Sequence, residues 1–288
     1  MALVSAREII EPAFRNGYAV GAFNTFDAET TQTIIETATA LNAPVMLLLG
    51  GWDWGLLGLE TYREIITYYA RKALIPVAWH LDHARSLDAV KEAVEAGYTS
   101  VMIDGSYLPF KENVAITKAA VALARPRGIA VEAELGGIGQ AVEAAGTESA
   151  QAGFTDPEAA RRFCQQTGVD MLAVSIGNAH GIYKVAPQLD IDLLRRIRAV
   201  AESTPLVLHG GSTTPPDQVR AAVKAGIAKV NVASELWVSY AKAMREALVS
   251  GDDSFMPSAA LRSVKAGLAE VVARWIKLLG SEGKAARP

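Results

Sequence analysis

The stretch IPVAWHLDHARSLDAVKEAVEAGYTSVMID, residues 75–104, decides the fold. It opens on an apolar, β-rich run (75–81) and passes Ser86, a residue suited to cap a helix. A helical pattern then leads to Gly97, and a second apolar run (99–104) follows. Continuous apolarity without strict alternation is the pattern of parallel strands covered on both faces. The same rhythm fills the chain: AVGAF (19–23), PVMLLLG (44–50), IAVEAEL (129–135), DMLAVSIG (170–177), PLVLHGG (205–211) and AKVNVAS (228–234) bring the runs to eight. Helix starts are marked by Asp27 and by Asp156 with Pro157 after it, and PPDQVRAAVKAG closes at Gly226. Returns to the next strand pass through glycine in EAGYTSV, TGVDML and KAGIAKV. Eight such units in 288 residues predict an α/β protein, a (β/α)8 TIM barrel forming a single domain over 1–288, with an extra C-terminal helix from Ser258 to Leu279. A doubly wound sheet usually has fewer strands in that length.

Composition narrows the function. Half of the residues are hydrophobic, enough for a substantial core, and the net charge of −3 gives no general surface for a polyanion, so no nucleic-acid partner is expected. No apolar run approaches the roughly 20 residues that cross a bilayer. MALVSAREIIEPAF reads as an amphipathic helix rather than a signal peptide, so no membrane partner and a cytoplasmic location are expected. The single cysteine, Cys164, forms no internal disulfide and reads as a buried helix residue.

In a barrel of this kind chemistry gathers at the C-terminal ends of the strands. There the sequence puts His80, Asp82 and His83 on strand three, Asp104 on strand four and Glu134 on strand five. His180 follows strand six, His209 ends strand seven, and Asn231 and Ser234 lie on strand eight. All four histidines of the chain thus fall on one face. Three imidazoles from different strands suit a borderline metal such as zinc with one position left open, and Asp104 and Glu134 could extend or tune that site. His80 shares a strand face with Asp82 by the period of two and reads as support. The runs HGGST (209–213) and NVAS (231–234) end strands seven and eight, the common phosphate site of the fold.

HLDH, MIDGS, EAELGG, HGIYK (180–184), LHGGS and KVNVASE occur in an order and spacing that resembles the class II, zinc-dependent ketose-bisphosphate aldolases, nearest the fructose- and tagatose-1,6-bisphosphate branch. The resemblance implies a carbon–carbon lyase that reversibly cleaves a ketose phosphate to dihydroxyacetone phosphate and an aldehyde through a zinc-stabilised enediolate. It makes His83, His180 and His209 the zinc ligands, with Asp104 and Glu134 near a second metal position, and adds a monovalent cation. Asp82 becomes the general acid/base. Asn24, Gly181, Lys184, Gly210, Gly211, Ser212, Asn231, Val232, Ala233 and Ser234 become the contacts to substrate phosphate and hydroxyls. A homodimer or homotetramer is implied as well.

Several positions depart from the family pattern. In GGIGQAVEAAG, Ala141 and Val142 stand where acids are expected, and Glu143 comes one residue late as the acid that would take the donor proton. The second strand offers Leu48 and Gly50, then Trp52 and Trp54, in place of the usual Gln and Ser. Thr213 replaces a glycine, and Ser258 stands where an arginine commonly meets the far phosphate, with Arg262 a turn away. Together these changes predict a non-standard acceptor aldehyde, apolar or aromatic if the tryptophan loop lines the site. Two other classes compete: a non-catalytic sugar-phosphate-binding paralogue, and a metal-dependent hydrolase on the same barrel. The hydrolase reading lacks its His-x-His pair, because strand one ends in AFNTF.

Overall fold

The computed structural model describes residues 3–138, 153–182, 186–212, 214–249 and 256–285. Eight strands, β1 (Val20–Asn24), β2 (Val45–Gly50), β3 (Val77–Ala84), β4 (Ser100–Ile103), β5 (Ala130–Leu135), β6 (Met171–Val174), β7 (Leu206–Leu208) and β8 (Ile227–Val232), pair in parallel with their sequence neighbours. The pairing of β1 with β8 closes the barrel. The described helices are α1 (Ala6–Asn16), α2 (Ala28–Ala40), α3 (Trp54–Leu57), α4 (Leu59–Lys72), α5 (Leu87–Ala96), α6 (Phe110–Ala124), α7 (Pro157–Thr167), α8 (Ile191–Val200), α9 (Pro216–Lys224), α10 (Ser234–Val249) and α11 (Pro257–Leu279). The TIM barrel and its extra C-terminal helix are therefore as expected, and no described helix is long and apolar enough to cross a membrane.

Local chemistry sets the helix limits. In α5 the Ser86 hydroxyl accepts the Ala89 amide hydrogen, Val90, Ala93 and Val94 form the buried stripe, and Gly97 at φ +96° ends the helix in the left-handed region. Asp27 and Asp156 cap α2 and α7 in the same way. Cys164 lies buried in α7.

Each strand sends alternate residues to the helices and into the barrel, which gives two apolar clusters. The outer one holds Leu47, Leu49, Val77, Trp79, Val131 and Val232 against the helical layer. The inner one holds Val20, Ala22, Met46, Leu48, Ala78, Ala130 and Val207, with Ile9, Ile10 and Ala13 of α1 packed into it. Moving along the strands, the inner face turns from apolar to polar. On β3 the inward residues run Ala78, His80, Asp82; on β5 they run Ala130, Glu132, Glu134; on β1 they end in Asn24. A site at the C-terminal end thus rests on an apolar floor.

Candidate active site

One residue breaks this alternation. By period, His83 would face the helices with Leu81, but between Leu81 and Ala84 the register with β4 slips, so three steps on β3 oppose two on β4. At this bulge His83 takes φ +47°, and its ring joins the inward set. The sequence reading put Asp82 and His83 at the end of strand three. In the structure β3 extends to Ala84, and the bulge inside it aims the ligand.

The rings of His83, His180 and His209 gather with centroids 4.7 to 5.7 Å apart. His83 Nδ1 lies 3.1 Å from Asp104 Oδ2, and His209 Nε2 lies 2.8 Å from Glu132 Oε1. A carboxylate only accepts, so each of those nitrogens carries the ring hydrogen. His83 Nε2 and His209 Nδ1 then face each other at 2.9 Å, with one hydrogen between them. His180 Nε2 is buried without a hydrogen-bond partner, and its ring completes a triad whose ligand atoms lie within 4.8 Å of one another. A divalent cation displacing the hydrogen between those two nitrogens, with the orphaned His180 Nε2 beside it, fits this donor set. His83, Asp104 and Glu134 form a second group of the same compactness, and Glu134 Oε2 is likewise unpartnered.

The electrostatics follow from burial and neighbours. Burial, with His83 nearby, lowers His180 to about 4 and takes His209 well below the ordinary imidazole range, so both are neutral ligands at pH 7. Burial also lowers His83, but Asp82, Asp104 and Glu134 outweigh it and raise the ring to about 9. Glu134 is pushed up to about 8 by burial and by Asp104. Burial would raise Asp104 too, yet hydrogen bonds from His83 and Ser106 hold it well below the carboxylate range. Asp82 is buried and raised for that reason, while its Oδ1 accepts from Asn231 Nδ2 at 3.1 Å.

Beneath the triad lies a network the sequence reading did not identify. Glu132 joins His209 to Lys229, whose Nζ is 2.8 Å from Glu132 Oε2, and all three side chains are fully buried. His80 completes this layer with Nδ1 2.7 Å from Ser100 Oγ, which agrees with its supporting role. Period-two counting back from Glu134 in EAE and from Asn231 in KVN would have exposed both partners of the ion pair. Asn178 is a further support: its amide donates to the His209 carbonyl at 3.0 Å.

These groups open into a cavity of about 910 Å³. Asn24, Asp82, Asp104, Glu134, Gly181, Gly210, Ser212, Asn231, Ala233 and Ser234 line it together with His83 and His180. Gly210 has φ +66°, and a Cβ there would drive into the Ala179 carbonyl, so only glycine lets the chain turn. Val232 packs outward in the core, and a Cβ on Gly211 would meet Val230 and the Asn231 carbonyl, so neither offers a side chain to the cavity. Ser258 and Arg262 lie on exposed turns of α11 and do not line it. Ala141, Val142, Glu143, Lys184 and Thr213 lie outside the described residues. The two tryptophans part company: Trp54 packs on the core and donates to Tyr98 Oη at 2.9 Å, whereas Trp52 is 56% exposed and lines the cavity.

A closed parallel barrel with three imidazoles and a buried carboxylate at its C-terminal mouth defines a metal-dependent TIM-barrel enzyme. Residues 4–284 match the family model described as fructose-bisphosphate aldolase class-II. The YdjI aldolase from Escherichia coli K12 superposes with a TM-score of 0.88 at 34% identity, covering 99% of this chain and 100% of that one. A Coccidioides immitis protein named for fructose-1,6-bisphosphate aldolase gives 0.85 at 30% identity over 97% of each chain. The Campylobacter jejuni fructose-bisphosphate aldolase gives 0.84 over 98% of this chain and 97% of its own, and at 21% identity it speaks for the fold. The chain belongs to the class II fructose-bisphosphate aldolase family.

Proposed function

We propose that this protein cleaves a ketose phosphate reversibly to dihydroxyacetone phosphate and an aldehyde, with His83, His180 and His209 holding a zinc ion. The observation that carries the reading is the clustering of three imidazoles, two of which line one cavity together with Asp82, Gly210 and Ser212. A bound divalent cation supplies charge stabilisation where negative charge develops on the ketone oxygen. Asp82, its basicity raised by burial, takes the proton from the hydroxyl on the carbon that becomes the aldehyde. The carbon–carbon bond then breaks, its electron pair passing to the ketone half, and a proton delivered to that carbon completes dihydroxyacetone phosphate. Glu143 is the acid assigned to that delivery. The Asn231 amide keeps Asp82 aimed at the substrate. Backbone groups at Gly181, Gly210, Ser212, Ala233 and Ser234, with Lys184, receive the phosphate, and a monovalent cation belongs beside it.

Asp104 and Glu134 provide the second metal position. The acceptor is an aldehyde other than the standard phosphorylated triose, a reading supported by Leu48 and Gly50 standing on β2 where the resemblance expects Gln and Ser, and by Trp52, which lines the cavity. Rates on fructose- and tagatose-bisphosphate equal to those of ordinary family members would refute that part. A cytoplasmic homodimer or homotetramer belongs to the same reading, and light scattering tests the assembly.

The decisive experiment combines chelation, Asp82→Ala and exchange of deuterium into dihydroxyacetone phosphate. Chelation should abolish turnover, and Asp82→Ala should lower kcat by about 10² to 10⁴ with metal content retained. Turnover that survives in the variant removes Asp82 from its role. Absence of exchange leaves the sugar-phosphate-binding paralogue instead.

A further inference from the structure

The last residue of β2, Gly50, pairs with Asp82 of β3 and so stands beside the proposed acid/base. By the period of two it continues the inward set of Met46 and Leu48. The resemblance expects polar side chains on this strand, a Gln and a Ser, but Leu48 is fully buried and Gly50 has no side chain to offer. Trp52 fills that space. A Cβ on Gly50 would overlap the six-membered ring of the Trp52 indole, so the ring lies where an inward side chain from position 50 would stand. The turn that carries it is tied at both ends to one hydroxyl: Trp54 Nε1 donates to Tyr98 Oη at 2.9 Å, and Tyr98 Oη donates to the Leu49 carbonyl at 3.3 Å. Tyr98 is itself buried and stacked on Trp79, with centroids 3.7 Å apart. The fold therefore fixes Trp52 on the cavity wall beside the Asp82 strand and still leaves it 56% exposed. An indole held exposed in a cavity gains from any apolar surface laid over it.

We propose that Trp52, seated over Gly50, is the residue that selects the acceptor, and that it selects an uncharged aldehyde carrying an apolar or aromatic group. The inference rests on the aldolase reading and deepens it: the acceptor begins at the carbon served by Asp82, and its substituent packs on the indole. The substrate for cleavage is then a ketose monophosphate that ends in an apolar group. Gly50 is the positioning residue, because only a position without a side chain admits the ring.

The test is aldol addition of dihydroxyacetone phosphate to paired aldehydes by the metal-loaded enzyme. Lactaldehyde against glyceraldehyde exchanges a methyl for a hydroxymethyl group, and phenylacetaldehyde against propanal exchanges a phenyl for a methyl group. Each pair yields a ratio of kcat/KM values, apolar member over its partner. Trp52→Ala should lower both ratios about tenfold or more through the KM of the apolar member, the size of an apolar contact in a binding pocket. Intrinsic aldehyde reactivity cancels in that comparison, and Trp52→Phe should keep part of the preference. Gly50→Ala should lower the ratios when Trp52 is present and have no further effect in the Trp52→Ala background. Ratios unmoved by Trp52→Ala, or a kcat/KM for glyceraldehyde 3-phosphate above those of all four aldehydes, overturn the assignment and leave the aldolase reading intact. An equal effect of Gly50→Ala in both backgrounds overturns the seating of the indole on Gly50. Failure of the unaltered enzyme to exchange deuterium into dihydroxyacetone phosphate overturns both the assignment and the aldolase reading.

Discussion

The two sides of the cavity are built by different physics. On the β5–β8 side, position is fixed by a constrained turn and buried polar contacts: Gly210 in the left-handed region, Asn178 holding the His209 carbonyl, and a fully buried Lys229–Glu132–His209 chain underneath. On the β2–β4 side the outer wall consists of exposed side chains, Trp52, Arg85 and Tyr107, resting on short loops. Substituting the first side forces backbone and buried charge to move. Substituting the second changes what the cavity meets and leaves the barrel alone. The half of the reaction common to the proposed substrates thus sits on the rigid side, and the half that distinguishes them sits on the adaptable one.

Four substitutions probe this contrast. Gly210→Ala should be the most damaging, because it adds both a steric overlap with Ala179 and a positive φ. A loss of about 3 kcal/mol or more is expected in chemical denaturation. A loss below about 1 kcal/mol would mean the turn is less constrained than its geometry implies. Glu132→Gln removes the charged acceptor that fixes the His209 tautomer. Metal affinity measured by competition with a chelator should fall about 10- to 100-fold, and unaltered affinity would show that the buried network acts only on the fold.

Asp53, between the two tryptophans, is raised to about 6 by burial and then by Asp82. Its folded pKa exceeds the unfolded value, so its unfavourable contribution is absent below about pH 4. That contribution grows as pH rises and is complete above about pH 6. Asp53→Asn should therefore stabilise the protein by about 1 kcal/mol at pH 7, the shift being discounted for partial exposure, and by almost nothing near pH 4. A Tm gain of equal size at both pH values would contradict the charge explanation. Trp52→Ala, on the adaptable side, should alter stability by no more than about 0.5 kcal/mol while changing the KM for the acceptor. A large drop in Tm would move Trp52 from the cavity wall to the core.

Trp52 and Trp54 also show where sequence reading stops. Two residues apart on a glycine-rich segment, they look equivalent as letters, yet Trp54 reaches the hydroxyl of Tyr98 and Trp52 remains in the cavity. Only the packing of β3 and β4 beside that loop separates them. Arg85 and Tyr107 were invisible for the same reason, since an exposed residue carries no periodic signal.

The sequence by itself determined the eight-fold β-α rhythm, because the burial of parallel strands and the capping of helices are local and periodic. It also placed His83, His209 and the acids at strand ends, and the inward alternation of Glu134 and Asn231 was implicit in their spacing. Tertiary structure alone decided that His83 turns inward, since the bulge exists only through the register with β4. It also decided that imidazoles separated by as many as 126 positions meet at 2.9 Å, as His83 and His209 do. Barrel closure is a cooperative, non-local event, so neither the convergence of ligands nor the division of the cavity into a fixed and an adaptable wall can be read from any single segment.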